Sequence, residues 1–199
     1  MGRETDNTVI GTARTVAPVE EKLRADEITN VTILRADMAD HSNLAQATQE
    51  AEKILQGSGI DYLIVNGAYM KAVTAPLTPT SFVGNEDLLQ QDLTEAFNVN
   101  VLGVMYSVNA FLPLVRKGRV KKIIVISTGV ADLDLTLESG HPAAVAYCVS
   151  KAALNMVVAK YANELKSEGI TLLALSPGIV NTREISRKLF FACYPEHIC

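Results

Sequence analysis

The chain has 199 residues, of which 48% are hydrophobic and 20% are charged. This composition predicts one globular domain with a substantial core. The net charge of −4 and the isoelectric point near 5.4 give no electrostatic reason to expect nucleic acid or an anionic membrane as a partner.

Short apolar runs alternate with amphipathic stretches along the chain. The predicted strands are residues 8–12, 31–34, 62–65, 122–126 and 171–175. The predicted helices are residues 19–25, 42–55, 92–112 and 143–167, with Ser42 as the N-cap of the second. Loops are predicted up to about Asp87 and over 129–142. This alternation predicts an α/β fold whose parallel sheet is covered on both faces.

Three features of the sequence predict whether the protein has a metal or disulfide site and where in the cell it resides. The three cysteines, Cys148, Cys193 and Cys199, are odd in number and unevenly spread, so neither a disulfide framework nor a metal site is predicted. The N-terminus is polar, which predicts no signal peptide, and the apolar runs have the length of strands rather than of membrane spans. We therefore expect a cytoplasmic protein without a membrane partner.

A tyrosine and a lysine stand four residues apart in the last predicted helix, in the run Tyr147-Cys148-Val149-Ser150-Lys151. This spacing places Tyr147 and Lys151 on one helix face. A phenol has an ordinary pKa of about 10, and a neighbouring ammonium favours its anion. Because any helix can carry such a pair by chance, its significance depends on the residues around it.

Further polar residues follow the predicted strands, at the sheet edge where open α/β folds bind ligands. In chain order they are Arg14, Asp37, Asn66-Gly67-Ala68, Asn100, Ser127-Thr128 and Pro177-Gly178-Ile179-Val180-Asn181-Thr182. Together with the tyrosine and lysine, this order resembles the short-chain dehydrogenase/reductase family over residues 8–182. The resemblance implies a Rossmann-like, doubly wound parallel sheet and hydride transfer between a nicotinamide cofactor and a carbonyl or alcohol.

The resemblance also implies roles for the catalytic residues. Tyr147 resembles the acid/base that protonates the carbonyl oxygen. Lys151 resembles the partner that lowers the tyrosine pKa and hydrogen-bonds the nicotinamide ribose. Asn100 resembles the helix asparagine of a water-mediated proton relay to the lysine. Asn98 is a rival position, although the frame Phe-x-Val-Asn-Val-x-Gly selects Asn100.

The hydroxyl that orients the substrate is ambiguous in this sequence. The family usually carries two serines after this strand, and the second one polarises the carbonyl. The second position holds Thr128, whose methyl group restricts its rotamers and crowds the pocket. Ser127 is the alternative if the end of the strand shifts.

The remaining motif residues resemble the family's cofactor contacts. Asp37 resembles the acid that bonds the adenine amino group, and Asn66 a residue that supports the sheet and the cofactor. Val180 and Thr182 resemble the segment that holds the nicotinamide carboxamide. Arg14 follows the first visible strand, where a basic residue suits the 2′-phosphate of NADP and an acid suits NAD. NADP is therefore the expected cofactor.

The family's first strand and its glycine-rich turn have no visible counterpart. That turn holds the pyrophosphate with backbone N–H groups at a helix N-terminus. Residues 1–6 resemble the end of the helix after the turn, and the missing strand is central in the order 3-2-1-4-5-6. The chain is thus expected to be a single, incomplete dinucleotide-binding domain over residues 1–199, truncated at its N-terminus.

Two functional hypotheses remain open. The first is an NADP-dependent oxidoreductase that reduces a carbonyl, or oxidises the alcohol, of a small or medium organic substrate. The second is a non-catalytic relative or interaction protein that has lost cofactor binding. In the family the helices around Asn100 and Tyr147 often pair across a two-fold axis, so the resemblance implies a homo-oligomer through the two long helices. The apolar residues that could form its surface are Val101, Val104, Val108, Phe111, Leu154, Val157, Val158 and Tyr161. The alternative is that these residues simply face the sheet.

Overall fold

The computed structural model of the protein describes residues 7–178. The strands are β1 (Val9–Ala13), β2 (Val31–Arg35), β3 (Tyr62–Val65), β4 (Lys122–Ile126) and β5 (Thr171–Leu175). The helices are α1 (Ala17–Ala25), α2 (His41–Leu55), α3 (Glu86–Phe97), α4 (Gly103–Lys117), α5 (Leu133–Ser139) and α6 (Val145–Leu165). Short 3-10 turns cover Pro79–Phe82, Gly129–Ala131 and Lys166–Glu168, and the π-helical segment Asn98–Leu102 connects α3 to α4. The predicted Rossmann-like α/β class is confirmed.

The start of α2 differs from the prediction because Asp40, rather than Ser42, is the N-cap. Oδ1 of Asp40 accepts hydrogen bonds from the backbone N–H groups of Ser42 at 2.8 Å and Asn43 at 3.2 Å, and from the Ser42 hydroxyl at 2.6 Å. The hydroxyl of Ser42, followed by the N–H of Asn43, holds the pKa of Asp40 below its ordinary value.

The structure has more helix than predicted: the α3–α4 stretch is longer at both ends, and there is an additional helix, α5. Helix α3 begins six residues before the predicted start at Asp92, and α4 continues through Pro113 to Lys117. The predicted loop over 129–142 contains α5, so that prediction is wrong. Asp132 caps α5 by accepting a hydrogen bond from the N–H of Leu135 at 2.9 Å. The two other leucines of α5 are more than three-quarters exposed, so no buried apolar face indicated a helix.

The described chain forms two compact units, one built from residues up to 63 and 102–122 and the other from 64–101 and 123 onward. In the first unit β1 and β2 are parallel, with Val9 opposite Val31 and Ala13 opposite Arg35. Helix α2 packs against α4 and β2. The buried cluster between them consists of Leu34, Ala36, Leu44, Ala47, Ala51, Phe111 and Leu114.

Strands β3, β4 and β5 are hydrogen-bonded in that order and make a second sheet, most of which belongs to the second unit. There α6 packs against β5 and α3. Buried residues of this unit include Ala96, Val125, Leu154, Val158, Leu165 and Ile170. The predictions of a single domain and of a missing first strand stay predictions.

One continuous helical stretch, Glu86–Lys117, is long and apolar enough to cross a membrane by length and composition alone. The prediction that no segment is apolar over such a length is therefore wrong. The stretch was overlooked because polar residues such as Asn100 divide its sequence into short apolar runs. Half of its most apolar window is buried inside the protein.

Candidate active site

Tyr147 lies in the first turn of α6, and Lys151 follows one turn later. The helix begins after Ala144, which has the left-handed φ of 55°. The Lys151 Nζ atom lies 5.9 Å from the centre of the Tyr147 ring. The structure thus brings the two side chains together on one helix face, as their spacing predicts.

Lys151 is the largest side chain that the second unit encloses completely, with 1% of its surface exposed. Its Nζ atom donates a hydrogen bond of 2.7 Å to the carbonyl oxygen of Ile126, the last residue of β4. Burial lowers the pKa of Lys151 from 10.5 to about 8, because the charged ammonium is poorly solvated there. An amine with this pKa is able to gain and lose a proton close to neutral pH.

Asn100 lies in the π-helical segment and has no exposed surface. Its Oδ1 accepts a hydrogen bond from the backbone N–H of Tyr69 at 2.7 Å, and its Nδ2 donates to the carbonyl of Tyr69 at 2.9 Å. Nδ2 also donates to Oγ of Ser150 at 2.9 Å. The buried amide therefore has the partners that its burial requires. Since both Nδ2 hydrogens are used within the protein, the predicted relay cannot use the side chain as a donor, and the relay itself stays a prediction.

Ser150 is a site residue to which the sequence reasoning gave no role. It is fully buried, and its Oγ donates a hydrogen bond of 2.9 Å to the carbonyl oxygen of Tyr147 while accepting one from Asn100. Ser150 thus connects the first turn of α6 to the π-helical segment. The feature of the sequence that could have identified Ser150 as a site residue is its position, as a small polar residue, directly before Lys151.

The two candidate hydroxyls after β4 have different surroundings. Ser127 is buried, and its Oγ donates a hydrogen bond of 2.6 Å to Oδ1 of Asn155. Thr128 is half-buried, and its side chain makes no hydrogen bond to the part of the chain that the structure describes. Of the two, Thr128 has the hydroxyl available to a ligand. Asn155 follows Lys151 by four residues, a spacing that could have identified it as another member of the same helix face.

The predicted cofactor residues lie at the ends of their strands. Arg14 follows β1 directly and is exposed, and Asp37 follows β2 and is half-buried. Oδ1 of Asp37 accepts a hydrogen bond from the N–H of Ala39 at 3.0 Å. Asn66 follows β3 and is exposed. The predicted contacts Val180 and Thr182 lie outside the described residues.

A cleft beside Tyr147 contains two further residues that the sequence reasoning missed. Tyr69, Asp92 and Tyr147 all line it. The Tyr69 hydroxyl donates to Oδ1 of Asp92 at 3.2 Å, and Asp92 is only 4% exposed. Burial, and next the charge of Asp92, raises the pKa of Tyr69. Residues 92, 96 and 100 share one buried helix face, so a carboxylate in that series was the signal for Asp92.

Comparisons with known proteins are consistent across sequence and structure. The family model for the short chain dehydrogenase matches residues 3–189. The short-chain dehydrogenase/reductase AacuF of Aspergillus aculeatus is 41% identical over 178 residues, which are 88% of this chain and 65% of the relative. The short chain dehydrogenase virK of Hypocrea virens is 34% identical over 186 residues, 92% of this chain and 68% of the relative.

Among solved structures, the NADPH-bound carbonyl reductase from chicken fatty liver matches with a TM-score of 0.71 and 28% identity. The match covers 85% of this chain and 68% of that chain. The chain spans about 65% of the length of the first curated relatives that it matches.

Proposed function

The chain belongs to the short-chain dehydrogenase family, and on that basis we propose that it is an NADP-dependent oxidoreductase. Its reaction is the reduction of a carbonyl group, or the oxidation of the alcohol, of a small or medium organic substrate. The observation that carries this proposal is the buried Lys151, whose Nζ lies 5.9 Å from the centre of the Tyr147 ring. Burying a cation costs free energy. A lysine whose pKa is strongly lowered by burial, beside a phenol that lines a cleft, is typical of a functional site.

When bound, the nicotinamide supplies the hydride. The protein supplies the proton. The Tyr147 hydroxyl donates it to the substrate oxygen, and the adjacent Lys151 stabilises the resulting phenolate. Because the pKa of Lys151 is about 8, its ammonium form is able to return a proton to the Tyr147 phenolate, which leaves a neutral amine. The half-buried hydroxyl of Thr128 hydrogen-bonds the carbonyl and fixes its orientation.

The chemistry of the described residues fits a phosphorylated dinucleotide. The exposed guanidinium of Arg14 suits the 2′-phosphate that distinguishes NADP from NAD. Asp37 accepts one hydrogen bond, from the N–H of Ala39 to Oδ1, and its carboxylate keeps acceptor capacity for the adenine amino group. Lys151 uses one N–H for Ile126 and keeps others for the ribose. The connections after β1 and β2 contain no glycine, so neither supplies the pyrophosphate turn.

The decisive experiment is the Tyr147→Phe substitution in the full chain, with Tyr62→Phe as the control. Tyr62 is 44% exposed and lies on β3. We expect Y147F to lose NADPH-dependent carbonyl reduction and to keep saturable NADPH binding, while Y62F keeps both. Residual reduction by Y147F at the wild-type rate would refute the assignment of the proton donor.

A second substitution tests the cofactor preference. Arg14→Gln should weaken NADPH binding by about tenfold or more and leave NADH binding unchanged, because only NADPH carries the 2′-phosphate. Arg24→Gln, at an exposed position of α1, is the matched control for loss of a positive charge. An equal effect of R14Q on the two cofactors would contradict the role of Arg14.

The non-catalytic alternative has a clear signature. No stabilisation by NADPH at millimolar concentration would favour it. Seven of the eight helix residues suggested for a dimer interface are buried within the chain itself, and Val157 is half-buried, so most of the predicted surface is not available to a partner. The seven are Val101, Val104, Val108, Phe111, Leu154, Val158 and Tyr161. The exposed large apolar residues of α6 are instead Val149 and Met156. A homo-oligomer and a cytoplasmic location remain part of the proposal.

A further inference from the structure

The cleft beside Tyr147 has a polar wall made by two residues of the second unit. Tyr69 comes from the segment after β3, and Asp92 comes from α3. Lys71 and Tyr147 line the same cleft. The enclosed volume of this cleft is only about 10 Å³, which is room for one water-sized group such as a hydroxyl and not for a whole substrate.

Tyr69 is fixed at two points. Its backbone N–H and C=O are both bonded to the side-chain amide of Asn100, at 2.7 and 2.9 Å. Its hydroxyl is bonded to Oδ1 of Asp92 at 3.2 Å. With its backbone and its ring end both restrained, Tyr69 holds the Asp92 carboxylate in a defined orientation. Groups held in this way recognise ligands without a large loss of conformational entropy.

One oxygen of Asp92 remains available to a ligand. Every fully buried side-chain oxygen and nitrogen of the described residues has a hydrogen-bond partner. The only hydrogen bond of Asp92 to this part of the chain is made by Oδ1. Oδ2 therefore retains contact with open space, and Asp92 borders the cleft. A carboxylate that is 4% exposed and has a single hydrogen bond gains from a further donor.

We propose that Asp92 is a specificity-determining residue that accepts a hydrogen bond from a hydroxyl group carried by the carbonyl substrate. This inference rests on the proposed reductase function and names its substrate class, a neutral hydroxylated ketone or aldehyde. A carboxylate acts only as an acceptor, so it selects a donor. Lys71 lines the cleft and forms no ion pair with Asp92 in the described chain, and its charge opposes a cationic amine. A neutral hydroxyl or phenol satisfies both residues.

The test compares acetophenone with its three ring-hydroxylated isomers as substrates of the full chain. The measured quantity is the ratio of kcat/KM for the best hydroxylated isomer to kcat/KM for acetophenone. We expect Asp92→Asn to lower this ratio by about ten- to hundredfold, since a hydrogen bond to a charged acceptor is lost. Glu95→Gln, exposed on the same helix, should retain the wild-type ratio.

Comparing ratios removes the electronic effect of the ring hydroxyl, which is the same in every variant. An unchanged ratio in D92N, including an equal loss with both substrates, would overturn the inference and leave the reductase function intact. If the wild type reduces none of these ketones, the proposed function fails for this substrate class. The inference about Asp92 is then tested by NMR titration, which measures binding of the same ketones to the wild type and to D92N. Tighter binding of a hydroxylated isomer by wild type than by D92N would support it, and equal binding would overturn it.

Discussion

The cost of burying the Lys151 ammonium is measurable through the pH dependence of stability. Replacing Lys151 with methionine keeps a long side chain and removes the charge. In the wild type the pKa falls from 10.5 to about 8 because of burial. At about 1.4 kcal/mol for each tenfold change in proton affinity, this difference amounts to about 3 kcal/mol. The methionine variant lacks this contribution at every pH.

The sign of the effect follows from the order of the two pKa values. Below pH 8, Lys151 is protonated in the folded and the unfolded chain, so the folded protein carries the whole cost of burial. Between about 8 and 10.5 the unfolded chain binds more protons, and stability rises with pH. Above 10.5 the amine is neutral in both states and the cost is absent. The wild type should therefore gain about 3 kcal/mol relative to K151M between pH 7 and pH 10.5.

Urea denaturation followed by far-ultraviolet circular dichroism provides the free energies, because the chain has no tryptophan for fluorescence. Subtracting the K151M curve from the wild-type curve cancels the titration of all shared groups. Lys160→Met, at an exposed position of α6, is the control for loss of one lysine. A difference curve that stays flat, or falls, from pH 7 to 10.5 would refute the claim that the Lys151 charge is destabilised by burial.

Three other predictions concern stability and substrate orientation. Asn100→Ala should lower the free energy of unfolding in urea by about 2–4 kcal/mol, since three hydrogen bonds are lost and their partners are left unpaired. An effect below 1 kcal/mol would contradict a stabilising role for these hydrogen bonds. Gly118→Ala should lower the unfolding midpoint, at a cost of about 1–3 kcal/mol, because the added Cβ meets the carbonyl of Ile60; wild-type stability would refute it. Thr128→Val should reduce kcat for carbonyl reduction about a hundredfold, because the hydroxyl that orients the carbonyl is removed. Ser127→Ala should reduce kcat much less, because the Ser127 hydroxyl donates to Asn155. The opposite order would assign the orienting hydroxyl to Ser127.

The sequence allowed the strands to be predicted well because their apolar, β-branched runs are local signals. The predicted bounds 62–65, 122–126 and 171–175 agree with β3, β4 and β5. Helix ends were less predictable. Both Asp40 and Ser42 are good N-caps, and only the backbone geometry decides between them. Helix α5 was missed because Leu133 and Leu137 are exposed and Leu135 is only half-buried, so the helix has no buried apolar stripe.

The candidate site was predictable to the extent that its spacing is local. The four-residue interval between Tyr147 and Lys151 defines a helix face, and the structure confirms that the two side chains are adjacent. The contacts of Asn100 could not be read in this way, because they join residues 31 and 50 positions apart in the chain. Asp92 was overlooked because a carboxylate on a helix usually faces solvent, and nothing local identifies the partner that lets it be buried.

The side-chain amide of Asn100 accepts a hydrogen bond from the backbone N–H of Tyr69 and donates one to its carbonyl oxygen. Two residues that face each other in an antiparallel β-sheet exchange the same pair of bonds through their backbones. Neither bond involves the ring or hydroxyl of Tyr69. The course of the backbone at position 69 is thereby made independent of which side chain the position carries. A substitution at position 69 that keeps the backbone conformation is therefore expected to leave both of these hydrogen bonds in place.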